Sequence, residues 1–269
     1  MRAPTESENT VKTIILSAGQ GRRLLPLTEE TPKSVLPIGE KSALGWQLDA
    51  LQAAGASEVV VATGFHAEKI QAVVDEHNEQ GGMPVRTSYN PFYANCDNLG
   101  TCWIVRHEMH EPFVIINGDT MFEPEVYRRV IAAEDKHPIT LTTNTKPSYD
   151  SDDMKVIAAN GDLKRVGKKL QAEHVTHESI GMIRFNQAGA ARFVQKIESL
   201  MQHESTLARW YLSAVDELAA DKLVGICDIT GLGWCELDDK EDLAYANRVV
   251  PGWWERVAPL RKELRKEKA

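Results

Sequence analysis

The hydrophobic positions in the first half of the chain alternate between strand-like runs and helix-like spacing. The apolar run in VKTIILSAG, residues 11–19, is typical of a buried strand that ends at a glycine turn. Leu44, Leu48 and Leu51 follow at helical intervals, and SEVVVATG at residues 57–64 is the next apolar run. This order predicts a β-α-β unit, in which a helix joins two parallel strands.

The same alternation continues through the next part of the chain. A helix, a strand, a second helix and a second strand are predicted at residues 66–80, 83–90, 98–109 and 112–122. Such alternation predicts an α/β fold with a Rossmann-like, mixed but mostly parallel central sheet and helices on both faces. Ligands of these sheets bind beyond the carboxyl ends of the strands, where both Gly19 and Asp119 are expected.

After about residue 138 the pattern changes to short strands separated by turn residues. These strands are predicted at residues 138–144, 153–159, 161–167 and 178–185, as a small antiparallel extension for a second substrate. Helices at 187–202 and 206–221 and a strand at 223–229 follow. The predicted organisation is a disordered lead, one composite domain with a nucleotide-binding and an acceptor-binding part, and a basic tail helix, at residues 1–10, 11–249 (11–137 and 138–249) and 250–269.

Composition narrows the classes of protein that fit this pattern. The 269 residues carry a formal net charge of -8, so a general nucleic-acid surface is not expected and any polyanion must meet a local cluster of cations. The four cysteines form no zinc-binding spacing, which indicates reduced thiols. The chain shows no signal peptide and no apolar run near the eighteen or so residues that span a bilayer, so we expect a cytoplasmic protein without integral membrane association.

The segment LSAGQGRRLLPLTEETPKSVLPIG, residues 16–39, combines a glycine-rich turn with cations. Gly19 and Gly21 allow the backbone to turn tightly and to bring its N–H groups close to an anion. An ordinary strand-to-helix turn also accounts for two glycines, and neither the Walker pattern nor the third glycine of the dinucleotide fingerprint is present. Arg23 and Lys33 favour polyphosphate binding, because two cations beside such a loop would neutralise its charge.

These residues resemble a known enzyme family. The pattern G-x-G-x-R-L-x-P-L-T followed by P-K-x-x-x-P-I matches GQGRRLLPLTEETPKSVLPI almost position for position, and it is the signature of the nucleotidyltransferases that make nucleotide-diphospho-sugars and nucleotide-diphospho-alcohols. Arg22 stands where that family usually has a small Thr or Ser. It either adds a cation at the triphosphate or points to solvent.

Further segments resemble the phosphocholine cytidylyltransferase branch of that family. They are NPFYANCDNLGTCWIV, INGDTMF, DMKV, the residues Ser179-Ile180-Gly181, RWYLSAVDEL and WCELDDKEDLAYA. Sugar-1-phosphate enzymes usually carry a Gly-rich, Gln-containing segment where this chain has asparagines. The resemblance therefore implies the nucleotide-diphospho-sugar transferase fold and CMP transfer from CTP to a small phosphorylated alcohol.

The resemblance also implies roles for charged residues. Asp119 and Asp238 would hold Mg²⁺, with Asp239 and Glu236 as competitors for the second position. Arg23 and Lys33 would bind the β- and γ-phosphates or the departing pyrophosphate. Lys155, in DMKV, would steady the α-phosphate or the incoming phosphate, unless it is a solvated strand lysine.

The base of the nucleotide and the acceptor are less closely defined by sequence. Leu16, Ala18 and Gly19 would contact the base, and the amides of Asn95 and Asn98 would select it, although Asn98 could simply cap a helix. An acceptor with a quaternary ammonium favours aromatic residues, which points to Trp210 and Tyr211 in a family-like segment. The resemblance adds Ser179 and Gly181 to the residues expected at the acceptor. Phosphocholine, phosphoethanolamine-like compounds, aminoalkylphosphonates and inositol phosphate all stay open, as does a homodimer.

Other interpretations compete with this one. A sugar-1-phosphate nucleotidyltransferase using UTP, dTTP or GTP is the nearest, and a glycosyltransferase or a non-catalytic nucleotide-binding regulatory domain would be a different class. The DSD at residues 150–152 is similar to the Asp-x-Asp of glycosyltransferases, but a solvated acidic loop is the simpler interpretation. Trp253 and Trp254 in the basic tail could touch a membrane or a partner subunit, but packing on the body of the domain is simpler.

Overall fold

The computed structural model describes residues 11–266, with side chains described as far as residue 254. The predicted disordered lead at residues 1–10 therefore lies outside the described residues. The strands are β1 (Lys12–Ser17), β2 (Pro37–Ile38), β3 (Lys41–Ser42), β4 (Glu58–Thr63), β5 (Val85–Tyr89), β6 (Phe113–Asn117), β7 (Thr120–Phe122), β8 (Ile139–Asn144), β9 (Lys155–Ala159), β10 (Asp162–Val166), β11 (His177–Phe185), β12 (Val224–Asp228) and β13 (Trp234–Glu236). The α-helices are α1 (Ala43–Ala54), α2 (Ala67–Glu79), α3 (Asn98–Ile104), α4 (Pro124–Ala132), α5 (Gln187–Leu200), α6 (Leu212–Ala220) and α7 (Lys240–Lys266).

One mixed sheet of nine strands forms the centre of the fold, in the order β5-β4-β1-β6-β11-β8-β12-β10-β9. β1 pairs in parallel with both β4 and β6, so the first half is the predicted β-α-β arrangement. The strands here are buried apolar runs because helices cover both faces of a parallel sheet. The predicted mixed α/β fold is confirmed.

The second half of the chain extends this sheet instead of forming a separate one. β11 pairs antiparallel with β6 on one side and with β8 on the other, and β12 pairs in parallel with β8. β11 is nine residues long and buried over most of its length, so it joins the two halves through one continuous core. The share of antiparallel pairs is therefore larger than the sequence pattern indicated.

The core lies on both faces of the sheet. Ile14 and Ile15 are consecutive in β1 and fully buried, and they belong to opposite core clusters, as the two-residue period of a strand requires. On one face, the rings of Phe113 and Phe185 stack with centroids 4.5 Å apart, and Phe193 packs 4.7 Å from Phe185.

Two elements differ from the sequence prediction for local reasons. α4 was not predicted, because it is only nine residues long, although Pro124 at its first turn is a typical helix start. α6 begins at Leu212 and not at residue 206, because the preceding segment bonds to the start of α3 instead: Asp97 N donates to Leu207 O at 2.7 Å, and Tyr211 N donates to Asn98 Oδ1 at 2.8 Å.

The C-terminal helix α7 is continuous from Lys240, so the predicted tail helix begins before residue 250. Trp253 is buried in a small cluster with Ile38 and Leu237, and the Trp254 ring lies 5.8 Å from that of Trp46. Both tryptophans therefore pack on the body of the domain, as predicted. Within residues 11–266, no helix is long and apolar enough to cross a membrane.

Candidate active site

In the loop that follows β1, the turn at Gly21 packs against Lys33, the second of the two predicted cations. Gly21 has a φ of +78°, and a Cβ there would lie 2.7 Å from the Cβ of Lys33. Thr28 Oγ1 donates to Gly21 O at 2.8 Å and fixes the turn. A side chain at position 21 would therefore displace Lys33, which explains why the turn requires glycine here.

A short antiparallel pair places the two predicted metal ligands side by side. β7 begins just after Asp119, and β13 ends two residues before Asp238. Their register pairs Glu236 with Thr120, and Leu237 N donates to Asp119 O at 3.1 Å. Because the strands run in opposite directions, the start of β7 and the end of β13 meet at the same edge.

Both cations of the β1 loop contact these carboxylates. Lys33 Nζ forms an ion pair with Asp119 Oδ2 and lies 3.1 Å from Asp238 Oδ1. Arg23 Nη2 lies 2.8 Å from the same Asp238 oxygen. Burial lowers the pKa of Lys33, but the charges of Asp119 and Asp238 outweigh that effect, and the net pKa is raised. Lys33 is therefore a firmly charged ammonium at the centre of the site.

The two carboxylates fit a divalent cation whose remaining ligands come from substrate. Asp119 Oδ1 is buried and has no hydrogen-bond partner in the described part of the chain, which is costly for a charged oxygen unless a cation or donor reaches it. Among the side chains described, those of residues 11–254, there is no group of three or more His, Cys, Asp or Glu arranged to hold a metal ion. This donor set suits Mg²⁺, which is commonly bound through one or two carboxylates plus phosphate oxygens and water.

The two competing acidic residues behave differently. Burial and the nearby charges of Asp119 and Asp238 raise the pKa of Glu236 well above its ordinary value. Asp239 Oδ1 accepts hydrogen bonds from the backbone N of Glu241 and Asp242 and caps the start of α7. The carboxylates that contact Lys33 are instead those of Asp119 and Asp238.

A cavity of about 730 Å³ opens beside these charges, beyond the carboxyl ends of β1 and β6. All of the predicted nucleotide-binding residues line this cavity, together with Lys33 and Asp119: Leu16, Ala18, Gly19, Gly21, Arg22, Asn95 and Asn98. Arg22 is exposed, so both interpretations of it, as a phosphate contact and as a solvated residue, fit its position.

Two lining hydroxyls were not predicted from sequence. Ser17 Oγ and Ser34 Oγ are buried and have no hydrogen-bond partner among the described residues. No sequence signal singled them out, although each adjoins a predicted residue. Together with Asp119 Oδ1 they leave the base of the cavity with unsatisfied polar atoms, which is typical of a site completed by a polar ligand or by water.

The asparagines predicted to select the base have different surroundings. Asn95 is exposed at the cavity, whereas the Oδ1 of Asn98 accepts from Tyr211 N at 2.8 Å. The helix cap is Asp97, whose side chain accepts from Asn98 N at 2.7 Å, so the alternative that Asn98 caps α3 is wrong. Asn98 therefore offers the cavity its Nδ2 donor.

The predicted acceptor residues do not form one surface. Tyr211 is fully buried, and its hydroxyl donates to Asn117 Oδ1 at 3.1 Å, so its assignment to the acceptor is corrected: it packs in the core. Ser179 is 3% exposed, and Gly181, at φ +74°, lies so close that a Cβ would be 2.8 Å from Asn117 Cγ. Trp210 alone is substantially exposed, at 40%.

Lys155 is not the solvated strand lysine that was the alternative. Its residue is 4% exposed, and Nζ donates to the carbonyl oxygens of Asp150 and Lys168, the latter at 3.1 Å. Among the described residues, no carboxylate forms a hydrogen bond or an ion pair with the Lys155 ammonium. An ammonium that is buried and held by carbonyls alone can still bind an anion strongly.

The acidic loop at residues 150–152 is exposed, as predicted, but one of its carboxylates contacts a cation of the site. Asp152 forms an ion pair with Arg23, and its Oδ1 lies 2.7 Å from Lys168 Nζ. Lys168 was not predicted from sequence, since an isolated lysine in a turn carries no signal. The Asp-x-Asp spacing of residues 150–152 does not indicate the contact of Asp152 with Arg23.

A mixed α/β sheet with a glycine turn, two cations and a pair of carboxylates beyond its strand ends is a nucleotide-binding arrangement. A family profile described as MobA-like NTP transferase domain matches residues 13–220, and the chain belongs to this family.

Three relatives illustrate the sequence similarity. The chain is 25% identical over 246 residues to CMP-5'-(3-aminopropyl)phosphonate synthase of Streptomyces rubellomurinus, covering 88% of this chain and 38% of that protein. It is 28% identical over 113 residues to choline-phosphate cytidylyltransferase of Streptococcus pneumoniae, covering 42% and 47%. It is 22% identical over 252 residues to CTP:phosphoglutamine cytidylyltransferase of Campylobacter jejuni, covering 86% and 96%. The chain thus spans less than half the length of the first two relatives.

Solved structures agree on the fold. CTP:phosphocholine cytidylyltransferase from Streptococcus pneumoniae superposes with a TM-score of 0.72 at 18% identity, over 90% of this chain and 99% of the other. The inositol-1-phosphate CTP transferase from T. maritima gives a TM-score of 0.76 at 16% identity, over 91% and 96%. The predicted resemblance to the phosphocholine cytidylyltransferase branch is confirmed.

Proposed function

We propose that the protein is a Mg²⁺-dependent cytidylyltransferase that transfers CMP from CTP to a small phosphorylated alcohol, phosphocholine or a similar phosphate or phosphonate, with release of pyrophosphate. The observation that carries the proposal is the position of Lys33. This ammonium contacts Asp119 and Asp238 at once and lines the cavity that the glycine turn encloses.

The reaction needs little covalent chemistry from the protein. A phosphate oxygen of the acceptor attacks the α-phosphorus, a new P–O bond forms, and the bond to the β-phosphate breaks with its electrons leaving on pyrophosphate. The protein has to hold two anions in line and stabilise charge on the leaving oxygens.

Each cation has a place in that task. Lys33 and Arg23, on the loop after β1, neutralise the departing pyrophosphate, and the buried ammonium of Lys155 orients the α-phosphate or the incoming phosphate. Asp119 and Asp238 would hold Mg²⁺, which supplies further positive charge to the phosphate oxygens when it is bound.

The choice of CTP rests on the polar groups at the cavity. Asn95 offers both a donor and an acceptor, and Asn98 offers the donor Nδ2, which suits the O2 and N3 acceptors of cytosine. The named relatives that use phosphonate, phosphocholine and phosphoglutamine acceptors support a small phosphorylated acceptor.

The alternative within this class is a sugar-1-phosphate nucleotidyltransferase that uses UTP, dTTP or GTP. Outside it, a glycosyltransferase would not need the Arg23 and Lys33 pair, and a non-catalytic regulatory domain would not need to retain both carboxylates beside them.

A substrate matrix tests the proposal. CTP, UTP, dTTP and GTP are each combined with phosphorylated alcohols and with sugar-1-phosphates, and pyrophosphate release is measured with and without Mg²⁺. We expect release with CTP and a phosphorylated alcohol only when Mg²⁺ is present. Preference for another triphosphate with a sugar-1-phosphate would support the alternative.

Two variants test the named residues in the same assay. Asp119→Asn and Lys33→Ala should each lower turnover by about a hundredfold or more, because the first weakens the hold on Mg²⁺ and the second removes a positive charge that stabilises the leaving pyrophosphate. Asp135→Asn, at an exposed aspartate paired with Arg184, is the matched control. Near-normal turnover in either site variant, with unchanged thermal melting, would refute the assigned roles.

A further inference from the structure

Trp210, the exposed residue among those predicted at the acceptor, is already in contact with a cation, the ammonium of Lys168. Lys168 Nζ lies 5.1 Å from the centroid of the Trp210 ring and occupies the face where a ligand cation would bind. A quaternary ammonium needs such a face to be free. An acceptor that approaches Trp210 here meets positive charge instead.

Lys168 is connected to the reaction centre by ion pairs. Asp152 joins Lys168 to Arg23, and Arg23 lies 2.8 Å from Asp238. The chain of contacts therefore runs from the predicted metal ligand to the Trp210 ring. Leu207 and Ala208, just before Trp210 in the chain, line the cavity.

In the described part of the chain, Asp152 is the one carboxylate paired with Lys168. Asp152 is shared with Arg23, which also contacts Asp238, and the ammonium of Lys155, which donates to Lys168 O, is held by carbonyls. The Asp152 side chain is 56% exposed, and exposed ion pairs contribute little to stability. An incoming anion can therefore share Lys168 or displace Asp152 at small cost.

We propose that Lys168 determines acceptor specificity, by selecting a phosphorylated acceptor that carries a carboxylate remote from the phosphate that attacks. The inference rests on the proposed function and narrows its acceptor. The attacking phosphate lies at Lys155, and the carboxylate reaches Lys168 at the edge of the Trp210 ring. A trimethylammonium group in the same place is repelled.

Four acceptors with the same two-carbon chain test this inference. They differ only at the end remote from the phosphate: phosphoglycolate carries a carboxylate, glycol phosphate a hydroxyl, phosphoethanolamine an ammonium and phosphocholine a trimethylammonium. kcat/KM is measured by pyrophosphate release with CTP and Mg²⁺, for the wild-type chain, Lys168→Met, Lys168→Arg and the control Lys164→Met. Lys164 is a strand lysine paired with Asp162.

The wild-type chain should use phosphoglycolate at least about tenfold better than phosphocholine, and Lys168→Met should remove that preference. Lys168→Arg should retain it, since the charge is kept, and Lys164→Met should leave it unchanged. These shifts should appear mainly in KM, because the contact is remote from the reacting phosphorus.

Two results would overturn the inference. One is a wild-type preference for phosphocholine, and the other is a ratio of phosphoglycolate to phosphocholine that Lys168→Met does not change. The inference would also be contradicted if the protein bound CTP but turned over none of the four acceptors. Failure of the proposed function is distinguishable, because then no triphosphate would release pyrophosphate with any acceptor.

Discussion

The carboxylate of Glu108 supports the end of the sheet opposite the active site, and its replacement by glutamine has a calculable effect. Arg86 contacts it through two parallel hydrogen bonds of 2.5 and 2.6 Å, and Lys12 Nζ lies 3.1 Å from Oε2. The Glu108 side chain is only 8% exposed. The hydrogen bonds from Arg86 outweigh the opposing effect of burial and lower the pKa of Glu108 from its ordinary value of 4.5 to about 2.

This lowered pKa sets the size of the effect. A change from 4.5 to about 2 corresponds to about 3 kcal/mol of stability at neutral pH. Because the Arg86 side chain is 49% exposed, solvent screening reduces the expected loss in Glu108→Gln to about 2 kcal/mol. The contribution is fully present above pH 4.5, where the unfolded chain is also ionised, and disappears as the pH falls toward 2, where the folded carboxyl becomes protonated.

Urea unfolding of the wild type and Glu108→Gln at pH 7, 4.5 and 3 measures this difference in the free energy of unfolding. Glu58→Gln is the control, because Glu58 lies 3.2 Å from the same Lys12 but is 37% exposed, and it should cost less than about 1 kcal/mol. A Glu108→Gln difference below about 0.5 kcal/mol at pH 7, or one that does not shrink between pH 4.5 and pH 3, would refute the reasoning.

Two substitutions test the packing around the site. Gly181→Ala should lower the free energy of unfolding by about 2 to 4 kcal/mol, because φ at this residue is +74° and a Cβ would lie 2.8 Å from Asn117 Cγ. Gly167→Ala is the control and should cost far less, because a Cβ there meets nothing within 4 Å. Equal urea midpoints for the two variants would contradict this expectation. Trp253→Ala should lower the free energy of unfolding by about 3 to 5 kcal/mol, because the Trp253 residue is 4% exposed and its ring packs against Gly233. Thermal melting measures this loss. An unchanged melting midpoint would show that the packing of α7 contributes nothing to stability.

Much of the nucleotide-binding half could be predicted from sequence because its signals are local. The apolar runs of β1, β4 and β6 and the helical spacing of α1 each depend on residues within one element. The glycine turn with Arg23 and Lys33 is likewise contained in one connection. The elements that were missed or misplaced, α4 and the start of α6, are short or depend on bonds to a distant segment.

The sequence by itself determined which residues bear charge and which strands are buried, because burial period and motif spacing are properties of neighbouring residues. Tertiary structure alone decided that Asp238 joins Asp119 through the pairing of β13 with β7, and that Tyr211 is inside while Trp210 is outside. It also decided that Asp152 reaches Arg23 across 129 positions. Contacts at such separations follow from how the sheet and its loops pack, and no local pattern specifies that packing.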